Sequence, residues 1–290
     1  MDINRRKFLA SSPVVGAVIG SLALDGHTDA GTSHEYRHDG AGWRKLREGL
    51  EFSRIDVYSN GENVDTFAVI RADPNYSRFR VAYDGKGRRT IRSWLDHLGA
   101  DAVFNLGYYG SESFYSTKPS TPVISDGVLV GPARNRHSEG MFVAEPKSGA
   151  HPKAGMFDLA HEKVDYSQWE QGVQSWPMLI RRGRPRKRIG DGKDYRTAVG
   201  LDRRGNIVAV TTENNYFSLT EFSKALADTG MDLYYAMNLD GGHAAQMAVR
   251  SGNMDYATYG REQVFGNPLL DAIAGKVNIP IPGVIGIFER

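Results

Sequence analysis

Thr197-Ala198-Val199-Gly200-Leu201-Asp202-Arg203-Arg204-Gly205-Asn206-Ile207-Val208-Ala209-Val210-Thr211 is the stretch that decides how this chain folds. Two short apolar runs flank an Asp-Arg-Arg-Gly turn, which reads as two strands joined tightly. On the N-terminal side, Ser175–Ile180 reads as a strand interrupted by Pro177. On the other side, Ser218-Leu219-Thr220-Glu221 is a capping-box pattern. It predicts a helix from about Leu219 to Asp228, with Leu219, Phe222, Ala225 and Leu226 turned inward. Leu233–Met237 then leads as a strand into Asn238-Leu239-Asp240-Gly241-Gly242-His243, and Val284–Phe288 reads as the last strand.

Toward the N-terminus, Glu51–Tyr58 and Asp65–Arg71 alternate around the turn residues Ser59-Asn60-Gly61. Phe79–Tyr83 is a further strand. After Thr90, residues Ile91, Trp94, Leu95 and Leu98 share one helical face, and Gly99 ends it. Ala102-Val103-Phe104 is a short buried strand running into Asn105. Residues 110–170 are rich in turns, with strand signals at Gly127–Val130 and Met141–Ala144. Strands outnumber helices and most neighbours look like hairpins. The expected fold is therefore α+β, a single domain over residues 51–290 with a mixed, mostly antiparallel sheet and a few packed helices.

The 290 residues hold 36 basic and 34 acidic side chains and no cysteine. This excludes disulfide scaffolds, thiol nucleophiles and Cys-ligated metal, and the near balance of charge gives no global attraction to nucleic acid. Residues 1–30 begin with Arg5-Arg6-Lys7-Phe8-Leu9, followed by a charge-free stretch from Leu9 to Leu24. The Arg pair before an apolar pair resembles a twin-arginine export signal. The stretch is short and weakly apolar for a permanent span, so no stable membrane span is expected after signal removal. Export machinery would then be a partner of the precursor, and the destination a bacterial periplasm or the outside of the cell. Residues 31–50 are polar and read as a flexible lead-in, which makes a zinc site at His34 and His38 improbable.

Asn238–His243 is the most specific segment for chemistry. It sets the carboxylate of Asp240 at the end of an apolar strand, before Gly241 and Gly242, which let backbone come close to a ligand. Asp-Gly is equally the common pair of a tight turn. Arg196 and Thr197 head a buried strand; Arg196 could grip a phosphate through its fork or sit in a surface ion pair. Asn105, at the mouth of its strand, could bind a ligand or cap the strand end. Glu213 is a second carboxylate candidate and His243 a candidate general acid or phosphate donor. No cofactor is expected, although Asp240, Glu213 and Asn238 carry the oxygens that a calcium or magnesium ion takes. Arg181–Arg188 holds six basic residues in eight, suited either to a polyanionic glycan or to a solvated hairpin tip. There is no His-Glu-x-x-His, Walker loop or Gly-x-Ser-x-Gly.

Phe104–Tyr109, Ser175–Leu179, Arg196–Gly200, Ser218–Leu226 and Asn238–Gly242 occur in the order and spacing of one family. Over roughly residues 60–290 the chain resembles the phosphodiester glycosidases. It departs from their pattern at His243-Ala244-Ala245, where Gly and Ser commonly follow Asp-Gly-Gly, and at Leu106-Gly107-Tyr108-Tyr109. The resemblance implies a hydrolase acting on a sugar-phosphate or cell-envelope glycan. It implies Arg196 on the phosphate, Asp240 as the carboxylate, and Asn105 and Asn238 on sugar hydroxyls or phosphate oxygens. The other reading is a non-catalytic carbohydrate-binding or envelope protein of the same fold, with Tyr108, Tyr109, Tyr216 and Trp176 lining a groove.

Overall fold

The Asp202–Gly205 turn joins Thr197–Asp202 to Ile207–Thr212 as an antiparallel pair, with Val199 opposite Ala209. This pair lies in the middle of a nine-stranded sheet. Ile207–Thr212 continues onto Glu62–Ala72 and thence Leu50–Ser59, while Thr197–Asp202 continues onto Leu233–Asn238, Met178–Arg181 and Arg184–Pro185. Successive side chains point to opposite faces, so both faces of this sheet are apolar. One set (Phe67, Val69, Val208 and Val210) packs against Phe222, Ala225 and Leu226 of the helix Leu219–Asp228. The other (Phe52, Ile70, Val199, Ala209 and Met237) faces the remaining sheets.

The computed structural model describes residues 36–87, 89–113, 116–149, 151–260 and 279–290. The twin-arginine segment and His34 lie outside them. The described residues all fall in one compact unit. A five-stranded sheet orders Met254–Tyr259, Gln246–Ser251, Ala102–Asn105, Gly283–Glu289 and Ser77–Tyr83. The helix Ile91–Leu98 covers it through Ile91, Trp94 and Leu95; Thr90 caps its start and Gly99 its end. A second five-stranded sheet orders Val128–Val130, Val123–Ser125, Trp169–Ser175, Gly140–Pro146 and Ala154–Asp158. No helix among the described residues is long and apolar enough to cross a membrane.

The expected helices and most expected strands are present, but the class needs correction. The fold is largely β, with two α-helices among the described residues. Every strand pair described is antiparallel, so the sheets are not mixed. Parallel neighbours need long crossover connections, usually helical, and this chain spends its helices as covers instead. The segment expected as a flexible lead-in is also structured from Tyr36 onward. Tyr36 is buried, and its N–H donates to Asp228 at 3.2 Å. Arg37–His38 and Arg44–Arg47 pair with Leu50–Ser59. Edge strands rich in charge show no alternation and so escape a reading based on it.

Two of the connections that carry the chain from one sheet to another meet. Leu239–Ala245 joins the nine-stranded sheet to the strand Gln246–Ser251, and Trp176-Pro177, a cis peptide, joins Trp169–Ser175 to Met178–Arg181. The Asn238 N–H donates to the Pro177 carbonyl at 2.9 Å. The candidate site is built on this crossing.

Candidate active site

Asp240 follows directly on the end of one strand and is braced by the end of another. Asn105, fully buried at the end of Ala102–Asn105, donates its amide to the Asp240 carbonyl at 2.9 Å and to the Leu106 carbonyl at 3.0 Å. Its Oδ1 accepts the Gln246 N–H at 3.2 Å, and the Asp240 N–H donates to the Leu106 carbonyl. Both amide hydrogens of Asn105 are thus spent on backbone. Asn105 therefore fixes the turn, with no amide hydrogen left over for the sugar hydroxyl it was expected to hold.

The Asp240 carboxyl accepts the Gly241 N–H at 2.9 Å. Burial nevertheless pushes it up to about 7, and the nearby Asp194 charge adds to this against the Gly241 hydrogen bond. Gly241 and Gly242 are both required by geometry. A Cβ at Gly241 would lie 2.8 Å from the Tyr195 carbonyl and 3.5 Å from Arg196 Nη1. Gly242 has φ of +59°, and its N–H donates to the Tyr195 carbonyl. These glycines therefore bring the Asp240 turn against Tyr195 and Arg196, and their N–H groups are already engaged within the protein.

Arg196 is aimed by main-chain carbonyls. Its Nε donates to Phe217 O at 3.1 Å and its Nη2 to Gly192 O, while Nη1 ends beside Gly241. Its backbone N–H donates to the Thr212 hydroxyl at 2.9 Å. Burial lowers its pKa, opposed by the charge of Asp194. Among the described residues it forms no carboxylate ion pair, so a half-buried guanidinium stands ready for an anion. Thr197 is buried, with its hydroxyl 3.3 Å from that of Thr211, so that it ties two strands.

Tyr108 links these parts. It feels both Asp240 and Arg196, and burial pushes its phenol up to about 12. Asn238 donates to the Tyr108 hydroxyl at 2.7 Å, while the buried Asn238 Oδ1 has no hydrogen-bond partner. Tyr108 stacks on half-buried Trp176 with ring centroids 4.2 Å apart. Tyr109 also lies in reach of Asp240, and its phenol is raised, mainly by burial. An aromatic platform therefore borders a cation and a carboxyl.

Glu213 belongs elsewhere. Arg54 grips both its oxygens at 2.7 Å, and Tyr256 donates to it at 2.6 Å. None of these partners is in the Asp240 turn, so the carboxylate expected to assist there is spent. Its place beside Gly242 is taken by Asp194, which sequence reading missed: a Cβ at Gly242 would lie 3.2 Å from Asp194 Oδ2. The only sequence cue for it is an acid two residues before Arg196. His243 follows in a short 3-10 turn, Gly242–Ala244, where its carbonyl accepts from Gln246. No group of three His, Cys, Asp or Glu side chains that could hold a metal ion gathers among the described residues.

A largely β fold thus gathers a half-buried carboxyl, a half-buried guanidinium and an aromatic pair around one two-glycine turn. The phosphodiester glycosidase profile matches residues 99–288, and the chain belongs to that family. No curated protein matches it in sequence. Its structure is similar to the catalytic domain of zebrafish N-acetylglucosamine-1-phosphodiester alpha-N-acetylglucosaminidase auto-inhibited by its pro-peptide, with a TM-score of 0.57 and 17% identity, covering 88% of this chain and 89% of that one. A hypothetical protein from Synechocystis (TM-score 0.58, 14% identity) is covered over 64% of its length by 86% of this chain. A protein from Burkholderia pseudomallei, provisionally described as exported, has a TM-score of 0.54 and 12% identity, with 77% of this chain and 74% of that one covered.

Proposed function

We propose that this chain is an exported hydrolase that cleaves the sugar C1–O bond of a sugar-1-phosphodiester or a related anionic glycoconjugate. The observation that carries this reading is the two-glycine turn after Asp240, which lies against Arg196 Nη1 while Tyr108 feels the charges of both Asp240 and Arg196. Family membership and the zebrafish neighbour's activity support the same chemistry.

In such a diester the leaving group is already a stable phosphate monoester, so its departure asks for a cation more than for a strong acid. Arg196 answers the negative charge that grows on the phosphate. Asp240 in its ionised form answers the positive charge that grows at the sugar carbon, or takes a proton from the attacking water. Asp194 keeps Arg196 charged, and Tyr108 with Trp176 offers the sugar a flat face. A carboxyl near 7 means kcat/KM rises with pH through about 7 and levels off above.

Incubation with an α-N-acetylglucosaminyl phosphodiester is expected to release free sugar. Binding without release would favour the non-catalytic carbohydrate-binding reading. Export rests on Arg5-Arg6 and the apolar stretch after them. Changing both arginines to lysine should hold precursor in the cytoplasm, because the pair itself is recognised. Normal secretion of that variant would point to the general route.

A further inference from the structure

A cavity of about 430 Å³ opens beside chain segments that reach the Trp176 end of the aromatic platform, and it plays no part in the chemistry above. Arg134, Asn135, Ser138, Lys163, Tyr166 and Gln174 line it. Three chain segments tie it to the aromatic platform. Ser138 follows His137, whose ring centroid lies 6.0 Å from that of Trp176. Gln174 stands two residues before Trp176, at most about 7 Å along the chain. The Asn135 amide donates to Ser120 O at 2.6 Å, and the Ser120 N–H donates to Tyr108 O at 2.8 Å.

The cavity is polar and positively charged at its rim. Arg134 and Lys163 are exposed and form no ion pair among the described residues. Glu162, also at the rim, is turned to the Asp158 N–H at 2.7 Å. The buried Ser138 hydroxyl has no hydrogen-bond partner. The basic run lies at the same edge. Glu139, next to Ser138, holds both Arg181 and Arg186, and Arg181 Nε lies 3.3 Å from Asp158. Arg182, Arg184, Lys187 and Arg188 stay exposed beyond it. Two carboxylates thus neutralise the inner arginines, and unneutralised charge extends outward from the cavity.

A small phosphodiester has one anionic group, and Arg196 already answers it. We infer that this cavity binds a second anionic group of the same substrate, so that the substrate is a glycan chain carrying repeated phosphodiesters. The inference rests on the proposed function and specifies its substrate class.

The test compares a sugar-1-phosphodiester bearing a small alkyl group with a defined oligomer of three phosphodiester-linked sugars. The wild-type protein should prefer the oligomer in kcat/KM, and that preference should weaken as salt is raised. In Arg134→Gln/Lys163→Gln, the oligomer-to-single ratio should fall about 10-fold. Lys147→Gln/Lys153→Gln, which removes two exposed charges from the connection between Gly140–Pro146 and Ala154–Asp158, should keep the ratio. Equal use of both substrates by the wild type, or an unchanged ratio in Arg134→Gln/Lys163→Gln, would overturn the inference. If neither compound is hydrolysed, the proposed function fails, and calorimetric titration with the oligomer decides this point separately. A 10-fold weaker affinity in the double variant supports the subsite, and an unchanged affinity removes it.

Discussion

Asp240→Asn should lose turnover by on the order of 100-fold or more while binding the phosphodiester nearly as well as the wild type. The amide keeps the shape of the side chain but not the charge that the transition state uses, so the loss belongs in kcat and not in affinity. The same substitution should stabilise the fold at neutral and alkaline pH. Burial raises this carboxyl to about 7 in the folded protein, from an ordinary value near 3.8. A carboxyl whose folded value is raised favours the fold while protonated. Its contribution is complete below the ordinary value and is lost as pH climbs toward 7. The asparagine cannot ionise and escapes that loss, by about 2 kcal/mol at pH 8 once the residue's partial exposure is allowed for. A weaker decline across the same window should persist in the variant from Asp65. This carboxyl is buried, raised to about 7, and accepts three backbone N–H groups through Oδ1 while its Oδ2 has no partner. Thermal melts from pH 4 to pH 8, paired with sugar release, check both halves. A folded Asp240→Asn protein with near-normal turnover would make Asp240 a turn residue.

Arg196→Lys should weaken both binding and turnover, with kcat/KM down by about 100-fold. The charge survives, but the fork does not. In the native chain two carbonyls, Phe217 O and Gly192 O, hold Nε and Nη2 so that Nη1 lies beside Gly241. A lysine has one nitrogen to divide between those carbonyls and the phosphate. Calorimetry with the phosphodiester and initial rates on the same preparations measure the two effects. Wild-type affinity in this variant would show that Arg196 is not the phosphate ligand.

Much of this fold can be read from local pattern, because its strands carry their own signals. The Asp202–Gly205 hairpin, the capping box at Ser218–Glu221 and the helix after Thr90 all form as their residues require. The segment from Tyr36 to Arg47 could not be read that way. Its two short edge strands are held by partners far along the chain, and their side chains are charged. The absence of parallel pairs among the described strands was equally hidden, since sequence neighbours say nothing about which distant strands lie side by side.

The candidate site divides along the same line. Asp240, Gly241, Gly242 and Arg196 stand out by residue type, and the fold lays the glycine turn against Arg196. The roles of Asn105 and Glu213 could not be judged in advance, because they depend on what each side chain meets. Asn105 meets three backbone groups, and Glu213 meets Arg54, a residue 159 positions away. Asp194 gave no signal, since an acid near an arginine is ordinary until the fold brings Gly242 against it.

The central claim is that Arg196 and Asp240 act on the two sides of a sugar C1–O bond, one on the departing phosphate and the other on the sugar carbon. Hydrolysis of a sugar-1-phosphodiester in ¹⁸O-labelled water tests this directly, because the new oxygen marks the atom that water attacked. The account predicts the label in the released sugar and none in the phosphate monoester. Label in the phosphate would mean that the P–O bond breaks, and would contradict the roles given to both residues.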